Sequence, residues 1–335
     1  MAYLCIILHK EDIIMKKKLL ATLMAVAMVA SLSACGSSET ATTDTTEDAV
    51  VEETTDEAAD VETEEAADTE TDETAEADSA AIETVTAGKL TVATSPDFAP
   101  YEFYAIGEDG TPTLAGFDMA LAQYIADYLG LELEVIPMDF DGVLSELQTK
   151  SVDLGMAGLS PDEKRMEIMD FSDIYYLGGQ SLVTTQENAD VYNTFEAVNK
   201  PEVSVGAQTG SIQVDLANTN SPDADIISLP KVTDIIAELL AGKLDAAYIE
   251  TAVAESYQKN YPELAIVLDV PYDVSGSAIG VSKGNEALLA GVNEAIAAAL
   301  SDGTMDSFVA EANELASGET YEGLLGEDGQ VQDAE

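Results

Sequence analysis

One side chain stands apart by its chemistry. Arg165 is the single arginine of a chain with 13 lysines and arginines against 65 acids, a formal charge of −52. A guanidinium stays charged at any pH a protein meets, and its planar fork fits a carboxylate through two parallel N–H bonds. Gly158 and Ser160 precede it on the stretch Met156 to Tyr176, small residues that leave room for a bound group. Two readings are open on residue type alone. One is an ion pair with Asp162 or Glu163, of the kind common on surfaces. The other is a socket for the carboxylate of a ligand.

Histidine and cysteine narrow the field. The chain has one His, His9, and two Cys, Cys5 and Cys35. All three fall in a leader. Lys16, Lys17 and Lys18 form a positive start, and Leu19 to Ala30 an apolar run too short for a membrane span of about 20 residues. Small residues then lead to a cysteine in Leu32-Ser33-Ala34-Cys35. Met15 directly precedes the lysines, so residues 1–14 read as a start-site artefact. With the leader removed, no His-based triad, Cys–His pair or zinc set of the usual ligands remains. No disulfide, metal or cofactor is expected.

Residues 35–87 form a linker of Thr, Ala, Glu and Asp, without Lys, Arg or an aromatic residue after Cys35. Such a segment has nothing to bury against the entropy of ordering, and like charges extend it. The acidity argues against nucleic acid and against anionic lipid as partners.

The elements that must position Arg165 follow from Gly88. Leu90–Thr94, Leu131–Met138 and Asp153–Leu159 read as strands. Phe117–Leu129 reads as a helix closed by Gly130, and Asp141–Gln148 as a short helix. A second unit repeats the alternation. Strands are expected at Val203–Gly206, Ile226–Ser228, Asp245–Ile249, Ala265–Leu268 and Ala278–Val281. Helices are expected at Ser211–Asn218, Val232–Leu240, Glu250–Lys259, Ala287–Leu300 and Met305–Leu315. Two α/β units in tandem give a bilobal protein, and clefts between lobes are the usual small-ligand sites.

Motifs spread along this region resemble the family 3 extracellular solute-binding proteins, which feed polar amino acids to ABC importers. They are Leu90 to Phe103 (LTVATSPDFAPYEF), Gly116-Phe117-Asp118-Met119, Phe140-Asp141-Gly142, Ala157 to Ser160, Arg165, and Asp170 to Tyr176. Gln208 to Ser211, Gly242 to Ala247 and Asp302-Gly303-Thr304 complete the set. Ala120 and Ile174 depart from it, standing where the family usually has an acid and a proline. The Lys-rich leader ending at Cys35 resembles the signal peptide of bacterial lipoproteins, in which that cysteine carries the lipid.

The resemblance implies a type II periplasmic-binding-protein-like fold, two α/β lobes joined by a two-strand hinge near Gly178–Leu182 and Pro271–Ser277. It divides the chain into a signal peptide (1–34), the linker (35–87), lobe 1 (88–179 with 275–316), lobe 2 (180–274) and a flexible acidic tail (317–335). It places an amino acid's α-carboxylate on Arg165, Ser160 and Ser211, beside Gly158. The α-ammonium falls on Glu250, where many relatives have Asp, and the side chain between Phe98 and Phe140. Ser95 stands where receptors for basic amino acids carry Asp, which weighs against Lys or Arg as ligand; Asp97 is the neighbouring acid. Tyr101, Tyr175 and Tyr248 read as structural.

An amino acid is a zwitterion, and taking it out of water requires a partner for each charge. Arg165 and Glu250 answer that requirement. The expected protein is a monomeric, non-enzymatic receptor, lipid-anchored at Cys35 on the outer face of the cell membrane, serving an ABC permease and ATPase. A dehydratase-like enzyme on the same fold and a ligand sensor are the alternatives.

Overall fold

The computed structural model describes residues 82–107, 109–273, 276–318 and 320–321. The expected signal peptide, the lipidation residue Cys35 and most of the acidic linker lie outside the described residues.

The first half runs β1 (Lys89–Thr94), β2 (Asp97–Phe98), β3 (Glu102–Ile106), β4 (Pro112–Ala115), α1 (Phe117–Leu129), β5 (Glu132–Pro137), α2 (Phe140–Thr149), β6 (Leu154–Gly155), α3 (Glu163–Met166) and β7 (Met169–Phe171). Next come β8 (Gln180–Thr185), α4 (Phe195–Val198), β9 (Ser204–Gln208), α5 (Ile212–Asn220), β10 (Asp225–Leu229), α6 (Val232–Leu240), β11 (Ala246–Glu250), α7 (Thr251–Asn260) and β12 (Leu264–Asp269). The chain closes with β13 (Gly280–Ser282), α8 (Glu286–Asp302), α9 (Thr304–Ala316) and β14 (Thr320–Tyr321).

Each lobe is built on a five-stranded sheet. In lobe 1 the order is β5-β1-β6-β13-β7, in lobe 2 β10-β9-β11-β8-β12. In each sheet the strands run parallel except the fourth, β13 in lobe 1 and β8 in lobe 2, which is antiparallel to both of its neighbours. Helices cross between the parallel strands, so their central strands are covered on both faces and read as apolar runs. Leu90 and Val92 of β1, and Ala246 and Ala247 of β11, are fully buried. Helix α6 buries Val232, Ile235, Ile236 and Leu239 at helical spacing. Helix α1 ends where Gly130 turns left-handed (φ 68°) and its N–H caps the carbonyls of Ala126 and Asp127.

Asp153–Leu159 does not form a single strand. Only Leu154–Gly155 pair in the sheet. The chain then leaves it, and Gly158 takes a left-handed turn (φ 56°) that ends extended structure. A small antiparallel sheet, β14-β3-β2 with β4 on β3, flanks lobe 1. It was not expected, and it draws Thr320–Tyr321 of the acidic tail into pairing with Tyr104 and Ala105. The end of the linker is also tied down. The Val85 N–H donates to Asp153 Oδ1 (2.8 Å), and Asn285 Nδ2 to the Glu83 carbonyl (2.8 Å).

The chain crosses between lobes twice. Ahead of β8 and after β12, the two crossings pair through a bridge between Tyr176 and Ser277. The Val270 N–H adds a bond to the Gln180 carbonyl (2.7 Å). Among the described residues no helix is long and apolar enough to cross a membrane.

Candidate ligand-binding site

The site is assembled where β6 and β11, the third strand of each sheet, run out. Past β6 the chain turns through Gly158 to Ser160 and enters α3, a single helical turn. Asp162 caps that turn, accepting from the Arg165 N–H at 2.9 Å, and its other oxygen lies 3.3 Å from Arg165 Nε. So Arg165 does pair with Asp162, but inside the protein, since only 7% of it is exposed. Its Nη1 donates to the Ser160 carbonyl (3.0 Å), and its Nη2 reaches the other lobe at the Gly210 carbonyl (3.2 Å). A guanidinium has five N–H donors. Two are engaged in these hydrogen bonds and Nε faces Asp162, which leaves one N–H on each terminal nitrogen for a bound group. Burial lowers the pKa of Arg165, against the pull of Asp162, and a guanidinium keeps its charge in proteins.

The Phe140 ring, at the start of α2, lies 5.5 Å from the guanidinium carbon, a cation–π contact. Ser211 precedes α5, but its hydroxyl does not cap the helix. It donates back to the Gln208 carbonyl (2.7 Å). Beside this end a cavity of about 390 Å³ is lined by Ser160, Asp162, Lys164, Ile212, Asp215 and Tyr272.

Phe98 packs against Gly158. A Cβ on Gly158 would stand 2.7 Å from its ring, so the glycine is required both by that approach and by its positive φ. Phe98 leans on Tyr101 (ring centroids 5.3 Å apart), which is wholly buried. Tyr101 carries the wall across to the opposite end. Its hydroxyl accepts from Ser277 Oγ (3.3 Å) and lies close enough to Gly178 to sit beside the Glu250 carboxylate.

Glu250 closes β11 and caps α7. Its Oε2 accepts the Val253 N–H (2.9 Å) and its Oε1 the Gly179 N–H on the crossing strand (3.3 Å). Gly178 passes close to it, for a Cβ there would stand 2.8 Å from Glu250 Oε1. Burial raises the Glu250 pKa to about 7 against the pull of these donors. An added cation is what such a carboxylate lacks.

Ser95 is tied to the neighbouring acid. Its hydroxyl donates to Asp97 Oδ1 (2.7 Å). Asp97 Oδ2 accepts from Gln208 Nε2 (3.1 Å) and the Val232 N–H (2.6 Å), both on lobe 2, and burial raises its pKa to about 6. Sequence reasoning missed the Gln208 contact and the Gln213–Gln180 bond (2.8 Å), both between residues far apart in the chain. The structure thus gathers Arg165, Ser160, Phe140 and the Gly210–Ser211 turn at one end and Glu250 with Tyr101 at the other. Phe98 and Gly158 lie along the wall, and Ser95 is hydrogen-bonded to Asp97.

The model of the bacterial extracellular solute-binding proteins, family 3, matches residues 90–311. The chain belongs to that family. It is 33% identical over 202 residues to the arginine-binding extracellular protein ArtP of Bacillus subtilis (strain 168), covering 59% of this chain and 76% of that protein. The crystal structure of the amino acid ABC transporter substrate-binding protein AbpA from Streptococcus pneumoniae, bound to L-arginine, superposes with a TM-score of 0.66 at 33% identity. It covers 69% of this chain and 97% of that one. The cyclohexadienyl dehydratase of Pseudomonas aeruginosa (strain PAO1) is 28% identical over 193 residues, 57% of this chain and 70% of that enzyme.

Proposed function

We propose that this protein captures a free polar amino acid between its lobes and delivers it to an ABC importer. The ligand's α-carboxylate takes the two remaining N–H groups of Arg165, with Ser160 and Ser211 alongside. Its α-ammonium faces Glu250. Phe98 and Phe140 flank its side chain, and Gly158 keeps the backbone clear of it. The observation that carries this reading is the buried guanidinium with two open donors on one lobe and the buried, cation-deficient carboxylate on the other. In a closed site each satisfies one charge of a zwitterion.

Arginine leads the compounds to test, because ArtP and AbpA are described as arginine-binding and arginine-bound. Asp97 already has three donors, so a cationic side chain must either displace Gln208 from it or be read elsewhere. Calorimetry with arginine, lysine, glutamine, histidine and cystine decides. Saturable heat from at least one is expected, and none from any would end this reading. Processing at Cys35 would hold the domain at the outer face of the membrane on its acidic linker. Loss of membrane retention in Cys35→Ser is the expected result.

One observation favours a second reading, a dehydratase. A carboxyl near pKa 7 can exchange protons at neutral pH, and Glu250 is such a group in the cleft. The relationship to cyclohexadienyl dehydratase points the same way. Turnover of a cyclohexadienyl carboxylate, abolished in Glu250→Gln, would favour it over simple binding.

A further inference from the structure

Beneath the site lies a pair of acids that ligand capture does not use. Glu102 of β3 and Asp118 of α1 are both wholly buried. They are brought together because Gly116 lets α1 start against the backbone of β3, where a Cβ would overlap the Tyr101 carbonyl. The Asp118 N–H donates to that same carbonyl (2.9 Å). Neither oxygen of Glu102, nor Oδ1 of Asp118, has a donor among the described residues. The other Asp118 oxygen accepts the Gly158 N–H (3.2 Å), at the turn on which Phe98 packs.

The groups facing this pair are each other, Asp97 from β2, and the hydroxyls of Tyr175 and Tyr101. No cation is among them. Two carboxylates in contact without a counter-charge cannot both stay ionised in a buried setting. The charge belongs on Asp118, which sits in the first turn of a helix, where the dipole favours an anion, and already accepts a backbone N–H. A proton on Glu102 then supplies a hydrogen bond to Asp118, beside the one that the buried Tyr175 hydroxyl is placed to give. One proton thus pairs two of the three orphaned carboxyl oxygens.

We propose that Glu102 is a neutral carboxylic acid in the native protein, donating to Asp118, and that this bond is a positioning element for the Gly158–Ser160 turn. Burial and the Asp118 charge agree, holding the Glu102 pKa well above the carboxylate range while Asp118 rises only to about 6. The part concerning the turn rests on the proposed amino-acid site; the part concerning the proton does not.

The sign of the pH effect follows from linkage. An unfolded Glu102 ionises above about 4.5 while the folded one keeps its proton, so this residue removes stability as pH rises above that value. Glu102→Gln keeps a donor toward Asp118 and has no proton to lose. Its melting temperature, relative to the parent protein, is expected to climb between about pH 5 and 8. A difference that stays flat across that range overturns the assignment.

Infrared spectroscopy reads the proton directly. The carbonyl stretch of a protonated carboxylic acid should persist in the parent protein at about pH 9, where Glu250, with its pKa of about 7, has ionised, and be missing there in Glu102→Gln; its absence from the parent at that pH sinks the proposal. For the turn, Glu102→Leu removes the donor and is expected to weaken amino-acid affinity about tenfold, while Glu102→Gln stays within about twofold. Equal affinity in both variants would overturn the positioning role. If the parent protein binds no amino acid, the proposed function falls while the melting and infrared results still stand on their own.

Discussion

An aspartate precedes the third strand of each sheet. In lobe 1 Asp153 accepts the Thr91 N–H (2.8 Å) from the neighbouring parallel strand, and in lobe 2 Asp245 accepts the Ser204 N–H in the same way (2.9 Å). In both, the aspartate's own N–H returns to the carbonyl of that residue. The two lobes repeat one frame down to this clasp. Five residues further on the likeness ends, with Gly158 in lobe 1 and Glu250 in lobe 2. Lobe 1 empties the position and sends its charge from the next helical turn as Arg165. Lobe 2 fills it with a carboxylate. The comparison teaches that a repeated frame can carry opposite charges to one cleft, because strand ends are fixed by the sheet while the side chains beyond them are not.

The largest effect should come from the charged end of lobe 1. Arg165→Ala leaves a ligand carboxylate without its fork and is expected to weaken amino-acid binding by about 100-fold or more, with an unchanged circular dichroism spectrum. Unchanged affinity would show that the two strand ends are not complementary after all.

Next comes Glu250→Gln, expected to cost about thirtyfold. Its pH signature matters more. Only the ionised Glu250 opposes an ammonium, and its pKa is raised to about 7. Parental affinity should therefore weaken as pH falls through 7, whereas Glu250→Gln should lack that slope.

The clasps test the shared frame rather than the difference. Asp153→Ala and Asp245→Ala should each lower unfolding stability by about 2 kcal/mol, through unpaired backbone and hydroxyl groups, with little change in ligand affinity. Denaturant titration would show it, and a large cost in one lobe only would break the equivalence.

The smallest effect is reserved for Lys164 and Asp215, which bridge the lobes at 2.7 Å but are mostly exposed. Lys164→Ala should change affinity by less than about twofold, and added salt should remove even that.

Much of this was legible in the residues. Helix α1 falls where its apolar spacing and closing Gly130 put it, and α6 where its apolar spacing does, because these signals are local. Arg165 stands out by its solitude, and in the structure it is buried and paired with Asp162. Local pattern also misled. Asp153–Leu159 reads as one apolar strand, and only the turn at Gly158 reveals where the sheet stops. What could not be read was distance in space. Asp97 meets Gln208 and Val232 only once the lobes are built, and Glu102 and Asp118 look like ordinary surface acids until β3 and α1 are stacked. No local signal records such meetings, since each is made by chain closure rather than by spacing.

The order of strands has a consequence for how the chain is made. Lobe 2 draws all its strands from one unbroken stretch, residues 180–269, and can finish its sheet as soon as that stretch is available. Lobe 1 cannot. Its β6 and β7 are separated by β13, which arrives only after the whole of lobe 2 has been synthesised. Pairings that distant in sequence form late. A nascent chain lacking residues 280–282 would present a completed second lobe and a first one with an open seam through its middle. That seam is the edge on which premature release or truncation would lead to aggregation.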